Sequence, residues 1–151
     1  MTRRSKTLAT WLAVVGGSLG LHRFYLHGWR DRWGWLFPWP TLAGLAGLQR
    51  MRSFGQDDHV AWLLIPLLGL SLSAALRTAI VYGLTPDARW AARFPGAAVQ
   101  RTGWGPVLGV IVALLLGGTA FMGTMAFSGQ RFFEWQMERS APAQNSALPT
   151  K

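Results

Sequence analysis

The chain has no cysteine, and only six of its 151 residues are acidic. The lack of cysteine excludes disulfides, thiol nucleophiles and cysteine-ligated metal sites. Charged residues make up 14% of the chain, below the ~25% that is usual in soluble proteins. Half of the residues are hydrophobic, and nine are tryptophan. A chain so poor in charge and so rich in apolar residues is typical of an integral membrane protein.

The charge that is present is mostly positive, with 15 Lys and Arg residues and a formal net charge of +9. A basic chain binds nucleic acid or anionic lipid in most cases. Here the basic residues lie between long apolar runs and not along one polar face, which favours lipid head groups and topology signals. We therefore expect membrane lipids as partners, with anionic lipids among them, and no nucleic acid.

The apolar residues form four segments, which predict an all-α, polytopic integral membrane protein. The second segment contains Pro38 and Pro40, which break a helix in its interior. It is therefore either a tilted or kinked span or a re-entrant segment, and the number of transmembrane helices is three or four. A basic start also resembles a signal peptide, but no Ala-x-Ala site follows it. The four predicted segments are 7–26, 33–51, 60–84 and 105–129.

These segments divide the chain into an N-terminal module at 1–52, two further transmembrane helices within 53–139, and a tail at 140–151. The connection at 85–104 contains Trp90 and Phe94, which suggest a short helix lying at the membrane surface. The tail is small, polar and interrupted by proline, so we expect it to be disordered. We find no repeat with a period of 20–50 residues.

Small residues recur every fourth position in the third and fourth segments. This spacing places them on one face of each helix, where a second backbone can approach closely. We therefore predict that these two helices pack along their small faces, either within one chain or in a homo-oligomer. The residues are Ser71, Ala75, Ala79 and Gly83 in the third segment and Gly105, Gly109, Ala113 and Gly117 in the fourth.

Arg77 is the one charged residue within the two long spans. It lies about 10 Å of helix before Leu84, so its side chain can reach toward the head groups as an anchor, or it can serve transport. His22 and His27 are five residues apart, which does not fit the i, i+4 pairing of zinc helices. We expect no catalytic site, cofactor or metal. Asp58 and its neighbours are interpreted as a solvated turn and helix cap.

A glycine-rich stretch ends in a basic and aromatic motif, Gly17-x-x-Gly20-Leu21-His22-Arg23-Phe24-Tyr25-Leu26. The glycines permit close backbone approach. His22 and Arg23 are predicted to lie at head-group depth, where Phe24 and Tyr25 anchor the segment. Arg23 is expected to bind either a lipid phosphate or the carboxylate of Asp31.

Residues 5–28, and less specifically the chain to about residue 52, resemble the TM2 domain family. The resemblance implies two membrane helices joined by a short loop, in a module for interaction or signalling without a settled enzymatic activity. His27 stands where the family usually has glycine, and Gln49-Arg50 replaces a region that usually contains an aspartate. Any role of that aspartate is therefore not implied for this chain.

Two functions are consistent with these observations. The first is a small, non-enzymatic, multi-pass membrane protein that acts through contacts between helices, with lipids or with another membrane protein. The second is a small transporter or channel subunit that uses Arg77, His22 and His27. We expect the inner membrane of a bacterial cell, with both termini in the cytoplasm. The animal members of the family instead suggest a cytoplasmic motif loop, which would reverse this orientation.

Overall fold

The computed structural model describes residues 5–94 and 103–145, with side chains described through Ser140. The described residues form helices and connecting turns and contain no strand, which confirms the all-α class. In chain order the elements are α1 (Lys6–Gly16), a 3₁₀ turn (Gly17–Leu19), α2 (Leu21–His27), α3 (Arg32–Leu36), α4 (Pro38–Phe54), α5 (His59–Leu84), α6 (Asp87–Arg93) and α7 (Gly105–Asn145).

The first apolar segment forms a helical hairpin, so the prediction of one continuous helix over 7–26 is wrong. The chain leaves α1 through the 3₁₀ turn and reverses at Gly20, whose φ of 78° lies in the left-handed region. The Ser5 N–H then donates to the Tyr25 hydroxyl at 2.9 Å, and Ala9 and Leu26 share one buried cluster. The C-terminus of α2 therefore returns to the N-terminal end of α1.

Gly20 determines where this reversal occurs. A left-handed conformation disfavours every residue with a Cβ atom. A Cβ at position 20 would also lie 2.5 Å from the Gly34 carbonyl oxygen. The hairpin turn therefore requires glycine for its backbone conformation and for the close approach of α3.

The second segment contains two helices, which follow one another with Phe37 in a helical conformation between them. The short α3 contains Trp33 and Trp35. The next helix, α4, begins at Pro38 and ends at Phe54, three residues beyond the predicted end of the segment at Met51. Pro38 is tolerated because the first helical position needs no backbone donor.

The two long helices, α5 and α7, are apolar enough to cross a membrane. Only 22% of the most apolar window of each is buried inside the protein. The predicted bounds of α5 are nearly correct, and α7 continues to Asn145. The disorder predicted for the tail is therefore wrong for 140–145, and 146–151 lie outside the described residues.

The hairpin lies against the ends of both long helices. Lys6 donates to the Thr85 carbonyl at 2.9 Å and to the Asp87 carboxylate at 2.8 Å, so α1 begins where α5 ends. The predicted short helix in the connection is α6, and its Trp90 and Phe94 are buried in the cluster beneath the hairpin. The rest of that prediction, over 95–102, lies outside the described residues.

The small faces of α5 and α7 share a third partner, α1, which the predicted pairing did not include. A Cβ on Gly83 would meet Val110 of α7 and Thr10 of α1, and one on Gly109 would meet Thr10. Ala13 of α1 joins Ala79 and Ala113 in one buried cluster. The two long helices therefore pack together with α1 wedged along their small faces.

The remaining members of the two small faces have different neighbours. Ser71 turns to α4, where its hydroxyl lies 3.0 Å from that of Thr41. Ala75 faces the 3₁₀ turn, because a Cβ on Gly17 would meet it. A Cβ on Gly105 would meet Thr7 of α1, and a Cβ on Gly117 would meet Leu76 of α5.

Candidate functional site

His22 of the motif is buried in the protein. Its side chain is 1% exposed, and its ring meets those of Phe37 at 5.4 Å and Tyr82 at 5.9 Å, both edge to face. Its Nδ1 atom has no hydrogen-bond partner. The sequence did not predict this burial, which arises because α2 folds back beside α1 and brings His22 against Tyr82 of α5. The predicted depth of His22 at the head groups stays a prediction.

Arg23 binds Asp31, which is one of its two expected partners. Its Nε lies 2.7 Å from the carboxylate. The same carboxylate caps α3 by accepting from the Trp33 N–H at 3.2 Å. The hydrogen bond from Arg23 is the main cause that holds the pKa of Asp31 below its usual value, and the cap bond adds to it. Arg23 thereby fixes the position of the loop between α2 and α3.

The two aromatic residues of the motif stabilise the hairpin and its loop. Phe24 stacks on Trp29 at 5.3 Å and meets Trp35 edge to face at 5.3 Å. Both tryptophans are more than half exposed, as an aromatic belt requires. Tyr25 holds the N-terminus of α1 through its hydroxyl.

A buried polar contact lies where the hairpin turn meets α4 and α5. The 3₁₀ turn leaves the Ser18 carbonyl without a helical partner, and the Thr41 hydroxyl donates to it at 2.8 Å. Ser71 donates to the Leu68 carbonyl at 2.9 Å. A buried carbonyl without a donor is costly, so Thr41 is needed for the turn. Thr41 was not among the predicted site residues.

Two glycines of α4 were also missed. A Cβ on Gly44 would lie 2.5 Å from the Leu68 backbone nitrogen, and one on Gly47 would lie 2.5 Å from the Leu64 Cβ. The backbones of α4 and α5 therefore touch. Their signal in the sequence is a spacing of three between small residues, Thr41-x-x-Gly44-x-x-Gly47, whereas the predicted small faces have a spacing of four.

The loop between α4 and α5 repeats the construction of the loop between α2 and α3. In each, an arginine is followed at fixed spacing by glycine, aspartate and tryptophan, in the pattern Arg-x4-Gly-x2-Asp-x3-Trp, and corresponding positions are offset by 27. The expectation of no repeat with a period of 20–50 residues is therefore wrong for this short motif. We name the two sets the upper junction (Arg23, Gly28, Asp31, Trp35) and the lower junction (Arg50, Gly55, Asp58, Trp62).

Each residue of this repeated pattern has the same role in both junctions. The Arg Nε to Asp Oδ2 distance is 2.7 Å in the upper junction and 2.8 Å in the lower. Both aspartates cap the next helix, which confirms the interpretation of Asp58. Both glycines have positive φ, 84° and 90°. Both tryptophans donate from Nε1 to the carbonyl of the residue after the glycine, at 3.0 Å and 2.6 Å.

Arg77 lies apart from the motif, on an exposed face of α5. It lines a groove between α5 and α7 together with Gly117 and Gly118. Within the described part of the chain it makes no ion pair. His27 instead lies 4.0 Å from Asp31 and packs on Phe94. The described residues contain no group of three or more His, Asp or Glu side chains that suits a metal ion.

Comparison with known proteins supports the assignment of the N-terminal part. Residues 2–49 match the family model described as TM2 domain, which confirms the suspected resemblance for the hairpin, α3 and most of α4. No curated protein and no solved structure matches the chain. The domain match and the two long apolar helices together suggest a membrane protein.

Proposed function

We propose that this protein is a small, non-enzymatic, multi-pass membrane protein whose TM2-like module acts through contacts with helices, lipids or a membrane partner. The apolar surface of α5 and α7 carries this proposal. Leucines such as Leu63, Leu115 and Leu84 are 74%, 67% and 67% exposed. Apolar surface of this extent is unfavourable in water and favourable in the bilayer.

Three crossings account for this architecture. The combined run of α3 and α4 covers 23 residues, 32–54, or about 35 Å of helix. This length is enough for the ~30 Å hydrocarbon core. The other crossings are α5 and α7, while the α1–α2 hairpin enters and leaves on one side. A re-entrant hairpin is acceptable in the membrane where protein surrounds its irregular turn, as Thr41 and Gly34 do here.

With three crossings, the positive-inside rule and the animal members of the family indicate the same orientation. The hairpin places the N-terminal end and the loop at 28–31 on one side. Among the described residues, six Lys and Arg lie beyond the crossings or in their terminal turns on that side, and four do so on the other, so the positive-inside rule makes the first side cytoplasmic. The six are Lys6, Arg23, Arg30, Arg32, Arg89 and Arg93, and the four are Arg50, Arg52, Arg131 and Arg139. The cytoplasmic motif loop suggested by the family agrees. The C-terminal end then lies on the opposite side, in contrast to our expectation that both termini are cytoplasmic.

The roles of the acidic residues support a non-enzymatic function. Asp31, Asp58 and Asp87 each form an ion pair that fastens one helix to another or to a loop. Carboxylates held in this way stabilise the fold. Inner-membrane location in a bacterium and association with a second membrane protein remain parts of this proposal.

The absence of cysteine makes the topology directly testable. Single variants Ser5→Cys, Arg30→Cys and Gln56→Cys can be probed with a membrane-impermeant thiol reagent in sealed vesicles, after alkaline extraction has established membrane insertion. Three crossings place positions 5 and 30 on one side and position 56 on the other. Labelling of positions 5 and 30 from opposite sides would instead show that the first segment crosses the membrane.

A small transporter or channel subunit is the alternative, and the exposed Arg77 favours it. A charge in a membrane span often marks a transport path. Comparison of Arg77→Leu with wild type in a vesicle flux assay separates the two functions. Loss of flux with normal insertion supports transport, whereas altered insertion alone supports an anchoring role.

A further inference from the structure

An apolar groove with one basic end lies between the α3–α4 run and α5. Its volume is about 550 Å³, and it is directly beside the upper junction. The groove is open along one side. Its apolar walls come from Trp33, Leu36 and Phe37 on one side and from Leu67, Leu70 and Ala74 on the other.

Arg23 supplies the basic end of this groove. It reaches Asp31 through Nε alone, so in the described part of the chain its terminal amino groups have no hydrogen-bond acceptor. Arg50 of the lower junction engages Asp58 through both Nε and a terminal amino group, at 2.8 Å and 3.4 Å. The guanidinium of Arg50 also covers the Phe54 ring at 5.0 Å. Among the described residues, Arg23 therefore keeps both terminal amino groups free, whereas Arg50 has one of its two engaged.

The surroundings of Arg23 add positive charge. Arg30 and Arg32 are exposed on either side of Asp31, whose own charge is matched by Arg23. An anionic group at the end of the groove would meet two free N–H donors of a guanidinium, the geometry that suits phosphate oxygens. Below it, the wall from Ala74 to Leu67 extends over about 10 Å of helix. This apolar surface is suited to an acyl chain.

We propose that this groove binds an anionic phospholipid, with the head-group phosphate at Arg23 and an acyl chain along Leu70 and Leu67. This inference depends on the proposed membrane insertion and deepens it. It distinguishes the upper junction, which binds lipid, from the lower junction, which does not.

Native mass spectrometry of the full chain in detergent micelles tests this site with phosphatidylglycerol and phosphatidylcholine as probes. Wild type should bind phosphatidylglycerol more tightly than phosphatidylcholine. Arg23→Gln should weaken phosphatidylglycerol binding about five-fold, since one basic residue near the surface contributes ~1 kcal/mol. The matched control Arg50→Gln removes the same charge from the other junction and should leave phosphatidylglycerol binding unchanged.

A second pair of variants tests the acyl-chain half of the groove. Ala74→Phe places a ring in the groove and should weaken the binding of both lipids, whereas Val60→Phe lies outside the groove and should not. Equal effects of Arg23→Gln and Arg50→Gln would overturn the site in favour of general charge attraction. Unchanged binding by Ala74→Phe would overturn it in favour of head-group contact alone.

The failure of this inference can be told apart from the failure of the proposed function. Each variant is first checked for membrane extraction and for helical circular dichroism. A chain that inserts and folds but shows no preference for phosphatidylglycerol contradicts the lipid site alone. A chain that is not retained in membranes contradicts the proposed function.

Discussion

The upper and lower junctions have the same local structure and different surroundings. Each uses arginine, glycine, aspartate and tryptophan at the same spacing to turn the chain and to begin the next helix. The lower junction joins two helices that pack directly against each other. The upper junction joins a folded hairpin to α3 and borders a groove.

The two junctions share the contacts that the loop motif makes, and they differ in what surrounds them. The repeated motif provides a helix cap, an ion pair and a tryptophan hydrogen bond, whichever helices it connects. Within the described ranges, the terminal amino groups of Arg23 are free because Arg23 meets Asp31 through Nε alone, whereas Arg50 also uses a terminal amino group. The same residue types therefore stabilise a turn at one site and, in our proposal, bind a ligand at the other.

The largest loss of stability is expected from substitution of Gly20, where the chain reverses in the hairpin before the upper junction. Gly20→Ala should destabilise the fold by roughly 1–2 kcal/mol for the left-handed conformation and by roughly 1–3 kcal/mol more for contact with the Gly34 carbonyl. Thermal unfolding in detergent, followed by circular dichroism, measures the loss. Gly123, which has nothing near its Cβ position, provides the control Gly123→Ala. Equal stability of the two variants would contradict the hairpin.

Substitution of the glycine in either junction is expected to cause an intermediate loss of stability, equal in the two junctions. Gly28 and Gly55 have φ values of 84° and 90° with extended ψ, a region that only glycine adopts easily, and neither has an atom near its Cβ position. Gly28→Ala and Gly55→Ala should each cost roughly 1–3 kcal/mol. The same unfolding measurement compares them. A clear difference would show that the two junctions are not equivalent in backbone structure.

The smallest effect is expected in the pH dependence of stability. Hydrogen bonds from arginine lower the pKa of Asp31 and of Asp58 in the folded state. Each therefore adds stability at pH values above the ordinary aspartate pKa, and this stability is lost as the pH falls through the lowered pKa. The melting temperature should drop between about pH 7 and about pH 3.

The matched variants Asp31→Asn and Asp58→Asn divide this acid effect between the junctions. Each substitution should reduce the melting temperature at neutral pH and leave a smaller further drop in acid. Similar changes in the two variants support equivalent ion pairs. An acid response that disappears completely in one variant alone would assign it to that junction.

The sequence predicted the parts of the fold that depend on neighbouring residues. The long apolar run determined α5, and Asp58 was recognised as a cap because aspartate before a helix accepts from its first free N–H groups. The motif at 17–26 led to the TM2 resemblance that the domain match confirms. Its chemistry also gave Asp31 as one of two expected partners of Arg23, and the two side chains lie 2.7 Å apart.

The path of the first segment was not predictable in the same way. Its apolar length and small residues are compatible with a continuous helix or a hairpin, since nothing within the segment itself excludes either arrangement. The decision depends on contacts with distant residues. Gly34 approaches the turn at Gly20, and Thr41 supplies the donor that the Ser18 carbonyl lacks.

Sequence by itself therefore determined the helical class, the apolar segments, the caps and the motif, because each is encoded by residues close together in the chain. Only the tertiary structure decided that α2 returns beside α1, that His22 is buried, and that α1 lies between α5 and α7. Those features depend on which helix surfaces meet, and the free energy of that packing is shared among residues far apart in sequence.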